Sequence, residues 1–252
     1  MLRKFGFIAL ALSSLANFAN AADFVPPPPV EPEWVFTAAG YGWLSGIEGS
    51  VAAGGSPEAD IDLSISDVLK HFEGGLMGAG EARHGRFLLA TDLMWAKLSA
   101  DVDRPVLGNV ELTASTLTVT GVAGYGLVYD DGGNLDIIAG ARLWSVKNEL
   151  DLSGGFPVGE FEDSATWVDP VVGLKGRASI SPDFYVTGWA LVGGFGVSSD
   201  LMWDVMGSVG YEFNDSFSMT AGYRVQSVDY HDNGFVYDVV QSGPMIGAVF
   251  KF

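Results

Sequence analysis

Residues Leu112 to Tyr129 read LTASTLTVTGVAGYGLVY, eighteen positions without a charge. Their order is nevertheless wrong for a membrane helix. Thr116, Thr118 and Thr120 fall on one parity, and Leu117, Val119, Ala123, Tyr125 and Leu127 on the other. Period two is strand geometry, because successive side chains leave a pleated strand on opposite faces. The alternation then recurs. Leu135, Ile137, Ala139, Ala141 and Leu143 oppose Asp136, Gly140 and Arg142, and Pro170, Val172, Leu174 and Ala178 oppose Asp169, Gly173, Lys175 and Arg177. Met219, Ala221, Tyr223 and Val225 likewise oppose Ser218, Thr220, Gly222 and Arg224. Ten such segments can be placed, near 34–51, 74–84, 86–99, 113–129, 135–152, 166–180, 184–197, 202–213, 217–230 and 238–252. Most are well above the roughly 5–6 residues of an ordinary soluble strand.

Two kinds of link join them in strict alternation. His84-Gly85-Arg86, Asp130–Asn134, Ser181-Pro182-Asp183 and Asn214-Asp215-Ser216 are tight turns of turn-forming residues. The others, near 52–73, 100–112, 153–165, 198–201 and 231–237, are expected to be longer irregular links. A soluble sandwich would bury its apolar faces and keep its strands short. Long strands with one apolar and one polar face, short turns at one end and long links at the other fit a sheet closed on itself across a bilayer. The fold expected is therefore an all-β transmembrane antiparallel up-and-down β-barrel of ten strands, with eight as the alternative count. Aromatic residues near proposed strand ends, Trp34, Trp95, Tyr129, Trp167, Tyr211, Phe213, Phe217, Phe250 and Phe252, would form two interfacial girdles.

Ahead of the barrel, Arg3 and Lys4 precede an apolar run from Phe5 to Leu15, and Ala19-Asn20-Ala21 supplies a small-x-small cleavage pattern. Residues 1–21 thus read as a secretory signal peptide, the run being too short to span ~30 Å of hydrocarbon as a helix. Residues 22–33, containing VPPPPVEPE, read as a stiff Pro-rich periplasmic leader, and 34–252 as the barrel. Cleavage would remove both basic residues and take the net charge from −18 to −20. Such acidity counts against nucleic acid as a partner. The absence of cysteine removes disulfides, zinc thiolate sites and thiol nucleophiles.

Together with the signal peptide, the segments GLMGAGEARHGRFLLATDLMWAKLS, DPVVGLKGR, FNDSFSMTAGYR and the terminal GAVFKF resemble small bacterial outer-membrane β-barrel proteins of the OmpA/OmpX-like kind. The likeness runs over roughly 34–252. It implies residence in the outer membrane after export, contact with outer-membrane lipid and lipopolysaccharide, and insertion by the barrel-assembly machinery. In such families the last strand is the signal that the machinery reads. The matching positions are Ile246, Ala248, Phe250 and Phe252, with Ala248 smaller than the side chain often found there. No peptidoglycan-binding domain is expected after the barrel.

Glu81, Arg83, Asp92, Arg142, Asp169, Lys175, Arg177, Glu212, Arg224 and Lys251 share the polar parity and would line the lumen. A ten-stranded barrel is little wider than one filled by side chains, so a paired plug is expected, since unpaired buried charge is costly. The alternative is a narrow ion path through a small porin. Asp229-Tyr230-His231 and Asp101-Val102-Asp103, at outer strand ends, resemble the Asp–His and carboxylate pairs of omptins, ten-stranded outer-membrane proteases. A carboxylate beside an imidazole would orient it and raise its basicity for activating water. The pair here lies in a later loop than in omptins, and acidic motifs are frequent in so acidic a chain, so the leading expectation is a structural or surface-interaction protein without catalytic residues. Asp60, Asp62 and Asp67 fit no EF-hand spacing, and neither a metal site nor a cofactor is expected. Ser66 to Phe72 is expected to form one short helix over the barrel mouth.

Overall fold

The computed structural model describes residues 33–52, 57–104, 108–154 and 159–252, with the backbone alone at 101–104, 108–110, 150–154 and 159–161. The expected signal peptide lies outside the described residues, as does the leader apart from Glu33.

Among the described residues there are twelve strands and one helix: β1 (Trp34–Trp43), β2 (Gly46–Ala52), β3 (Ala59–Leu63), α1 (Ile65–His71), β4 (Phe72–His84), β5 (Phe87–Arg104), β6 (Gly108–Asp130), β7 (Gly133–Gly154), β8 (Gly159–Ser179), β9 (Phe184–Gly193), β10 (Leu201–Asn214), β11 (Phe217–Asp232) and β12 (Phe235–Lys251). Hydrogen bonding runs β1-β4-β5-β6-β7-β8-β9-β10-β11-β12, and β12 returns to β1. Every pairing is antiparallel, so the sheet is a closed up-and-down barrel. β1 and β2 are two halves of one broken strand, since β12 pairs first with Ala52 to Gly46 and then with Trp43 to Thr37. The barrel therefore has ten strands. β3 is an extra ribbon on the free edge of β2.

Closure ties down the chain end. Phe252 donates its backbone N–H to Phe36 O at 2.9 Å, and Phe36 returns one at 3.3 Å. Ile246, Phe250 and Phe252 face outward and are 58%, 46% and 76% exposed. Neighbouring rings form an aromatic band at this end, with Phe217–Phe250, Phe213–Phe217 and Phe184–Tyr211 centroids 5.0–5.5 Å apart.

Two expectations about the links need correcting. The stretches near 100–112, 153–165 and 231–237 are mostly strand: β6, β7 and β8 are 23, 22 and 21 residues long, and β11 ends only at Asp232. Asn233 (φ 47°) and Gly234 (φ 86°) make a two-residue turn with both central residues left-handed. Asn-Gly favours that type I′ turn because it matches the strand twist. The helix begins one residue earlier than expected, at Ile65, with Ser64 as N-cap and its hydroxyl accepting from Asp67 N.

Side-chain polarity divides the barrel into two storeys. In the lower one, outward positions are apolar and exposed: Phe87 and Leu89 on β5, Leu127 on β6, Ile137 on β7 and Leu174 on β8. In the upper one, outward positions are polar, and Lys147 pairs with Glu149 and Glu162 across β7 and β8, while Lys97 meets Glu73 at 2.6 Å. The inside reverses in step. Charged residues fill the lower lumen, and Trp144, Val146, Trp167, Tyr230, Tyr237 and Val239 form a buried apolar core above them. Trp167 is stacked on Trp144 and Tyr230, with centroids 5.8 and 3.9 Å away. It is thus a core residue and not part of an outer girdle. A transmembrane band ~25 Å tall accounts for the lower pattern. The upper pattern is that of a water-soluble sandwich, with apolar residues inside and polar ones outside.

Tyr129 also departs from the expected girdle. A bulge between Gly126 and Val128 shifts the parity of β6, and the Tyr129 ring lies 5.6 Å from the Arg83 guanidinium at the lumen mouth.

Candidate functional site

The lower lumen is built from two charged layers. In the upper layer, Arg224 on β11 donates to Asp204 on β10 at 3.1 and 2.7 Å, to Asp92 on β5 at 3.0 Å and to the Tyr41 hydroxyl at 3.0 Å. Arg142 on β7 donates to Asp204 at 2.5 Å and to Thr120 at 2.7 Å. Tyr41 donates to Asp92 at 2.6 Å and Trp189 to Asp204 at 3.1 Å. The side chains of Asp92, Arg142, Asp204 and Arg224 are between 0% and 4% exposed. Two carboxylates face two guanidinium groups, so the layer is neutral. It spans the lumen from β5 through β7 to β11.

Below it, toward the short turns, Arg83 makes a two-pronged contact with Asp136 at 2.9 and 2.7 Å. Glu81 accepts from Arg83 at 3.2 Å and from Lys175 at 2.5 Å. Arg177 reaches Glu212 at 2.6 Å while stacking 3.4 Å over the Tyr185 ring. Arg83–Asp136 is buried, the Lys175 and Arg177 pairs are partly exposed, and two small cavities of about 210 and 190 Å³ lie among them. Lys251 lines the lower one.

Within the expected lumen set, Arg224 meets Asp92 and Arg177 meets Glu212, while Arg142 meets Asp204, a residue outside that set. Asp169 does other work: it accepts from Ser199 N at 2.9 Å, Ser199 Oγ at 2.7 Å and Trp167 Nε1 at 3.2 Å, fixing the 194–200 link against β8. Asp204 and Asp136 were absent from the lumen set. Both were available by parity, since Asp204 shares it with Glu212 on the same strand and Asp136 with Arg142.

Of the four omptin-like candidates, two meet. His231 Nδ1 contacts Asp229 Oδ1 at 2.9 Å; both side chains are partly exposed, with parity opposite to the buried Val228 and Tyr230 neighbours that face inward. Asp200 completes a local trio with ligand atoms within 4.8 Å of one another. Asp101 and Asp103 lie on β5, four strand positions from β11 by the shorter route around the barrel, and their side chains fall outside the described residues. Burial, the neighbouring Asp238 and Asp200 together raise the Asp229 carboxyl above the usual carboxylate range, with His231 opposing them. In the first long link, Asp67 lies on α1 with its carboxyl lowered by Ser64 and Lys70, while Asp60 and Asp62 lie on β3.

Above the neutral layer is a larger space that sequence reasoning missed. An apolar chamber of about 590 Å³ lies between Trp43, Met77, Leu98, Leu112, Val146 and Tyr237. It exists because the barrel wall is incomplete there. β1 pairs with β4 only up to Gly40 opposite Gly78; beyond that point the chain bends at Leu44-Ser45, β2 turns its free edge to β3, and residues 72–77 of β4 have a partner only in β5. α1 lies over the gap, with Ile65, Val68 and Leu69 lining the chamber.

No family model and no curated protein matches the sequence. Solved structures similar to the chain include Ail, the attachment invasion locus protein of Yersinia pestis, at 13% identity and TM-score 0.36 over 88% of this chain and 100% of that one. Neisserial surface protein A is similar at 13% identity and TM-score 0.37, covering 86% and 97%. The translocator domain of the autotransporter NalP from Neisseria meningitidis is similar at 11% identity and TM-score 0.44, covering 89% and 90%. These structures come from bacterial outer-membrane barrels. The closed ten-stranded fold of this chain stands on its own strand pairing.

Proposed function

We propose that the protein is an integral outer-membrane barrel with a lumen closed to ions and solutes, and that its role is structural or surface-facing, carried by the upper storey that rises beyond the bilayer. The observation that carries this reading is the neutral Asp92–Arg224–Asp204–Arg142 layer, whose side chains are ion-paired across the lumen and between 0% and 4% exposed. A conducting pore needs water or a weakly held ion at each level of its path. The apolar outer band and the aromatic ring around the chain end support residence in a membrane. Insertion would follow recognition of the outward set Ile246, Ala248, Phe250 and Phe252 by the barrel-assembly machinery, with lipopolysaccharide as the lipid around the upper rim.

The experiment is solute efflux from vesicles holding the refolded protein. Retention of a small trapped dye at the rate of empty vesicles is expected, with heat-modifiable gel mobility showing that the barrel has folded. Efflux comparable to that of an open porin overturns the closed-lumen reading in favour of a small channel.

A further inference from the structure

Among the described residues no strand pairing joins the β1/β2 bend to the upper part of β4, where only β3 and α1 cover the chamber above the charged layer. Apolar side chains around this break are exposed: Leu44 46%, Leu69 50%, Phe72 45% and Leu76 63%. Leu76 belongs to the outward face of β4, opposite the girdle residue Trp95 in register, so the break sits where the apolar band ends and the polar upper storey begins. Isolated exposed apolar side chains are ordinary; four around one break beside an apolar cavity are a patch that needs a partner.

The interior matches an aliphatic occupant. Leu98, Leu112, Ala96, Ala114 and Val146 line the chamber, and no charged side chain does among the described residues. Asn148 and Gln241 are its chief polar groups, and Gln241 already accepts from Gln226 at 2.6 Å. Water there would find few partners, and filling the space with hydrocarbon removes apolar surface from water. The volume is within the roughly 300–1,000 Å³ of small-molecule sites. The floor is closed by the Tyr41–Asp92–Arg224 contacts and by Trp43, whose indole donates to Gly243 O at 3.1 Å. A chain entering sideways would therefore stop there and not pass down the barrel.

Resting on the membrane-barrel reading above, we infer that the chamber binds one long aliphatic chain, threaded from the outer leaflet through the gap between Leu44 and Leu76, with its polar head left outside near α1. The chemistry is that of a linear acyl tail, whether it belongs to a membrane lipid or to a free fatty acid.

The test is photocrosslinking with two probes, a phospholipid carrying a diazirine in its acyl chain, supplied in the vesicle, and a free diazirine fatty acid, added to detergent-folded protein. Peptide mapping of the adducts is expected to place them on chamber residues such as Trp43, Leu98, Leu112 or Val146. Chamber labelling by the lipid probe identifies the bilayer as the source, and labelling by the acid alone identifies a free acid. Filling the space with Ala96→Phe and Ala114→Phe is expected to cut chamber adducts at least ten-fold while labelling of the lipid-facing Leu89 and Leu127 is unchanged. Should the double variant fail to fold, Leu112→Trp, at a half-exposed position, serves instead. Adducts confined to outward residues with both probes, or unchanged chamber adducts in a filled variant that still folds, overturn the inference. Loss of heat-modifiable mobility in wild-type protein strikes at the membrane reading instead.

Discussion

Replacing Arg224 by methionine tests the charged layer at its most connected point. The guanidinium makes four of the layer's contacts, two to Asp204, one to Asp92 and one to Tyr41. After Arg224→Met, Asp204 keeps Arg142 and Trp189, but Asp92 keeps only the Tyr41 hydroxyl. One buried carboxylate is then uncompensated, and breaking a buried pair from one side costs about 3–5 kcal/mol. That is a large part of a typical total of about 5–15 kcal/mol. Adding Asp92→Asn restores neutrality, leaving Asp204 and Arg142 paired. The double variant is therefore expected to be more stable than the sum of the two single losses by about 1–3 kcal/mol. Urea unfolding in lipid vesicles, followed by tryptophan emission, reads this directly, because Trp43 and Trp189 lie 5.4 and 5.0 Å from the Arg224 guanidinium. Losses that add to within about 0.5 kcal/mol would mean that Asp92 and Arg224 do not neutralise each other, and would refute the electrostatic reasoning.

Deleting Phe252, which exchanges two backbone hydrogen bonds with Phe36, is expected to impair membrane assembly far more than deleting the Pro-rich leader 22–33; equal heat-modifiable fractions in cell envelopes would contradict this. Asp229 sits directly across from Asp238, and its raised carboxyl binds a proton more tightly in the folded than in the unfolded chain. Its contribution is thus present at low pH and lost as pH rises through the raised folded value, so Asp229→Asn should remove that fall in stability with rising pH. At neutral pH that substitution should stabilise by at most about 0.2–0.5 kcal/mol, the small figure reflecting solvent screening of an exposed pair. Gly243→Ala would press a methyl group within 1.8 Å of Leu44 O at the β1/β2 bend, and overpacking of about 1–3 kcal/mol is expected in the same urea assay.

Strand parity was legible from the sequence wherever one face met lipid, because lipid accepts only apolar residues and a slip of one residue would expose the charged face. That is why Arg142, Lys175 and Arg224 could be placed in the lumen. Two things resisted. Above the bilayer the pattern inverts, so Trp167 looked like a girdle residue although it forms a core with Tyr230. The Asn233-Gly234 dipeptide is a sufficient hairpin signal, but its acidic surroundings read as a long link over 231–237. Partner choice within the lumen was not legible at all. Arg142 could reach a carboxylate on several strands, and only barrel shear, which no local pattern encodes, decides for Asp204 over Asp169. The chamber likewise depends on β1 leaving β4 at Gly40, a long-range event without a sequence signature.

The closed lumen is tested most directly by single-channel recording of the refolded protein in a planar bilayer, with folding established beforehand by gel mobility. A flat current at physiological salt is expected from the wild-type barrel, with openings appearing only when both Arg142 and Arg224 are replaced by alanine. Steady, resolved openings in the wild-type protein would show that ions pass the Asp92–Arg224–Asp204–Arg142 layer and would contradict the proposal that this layer closes the barrel.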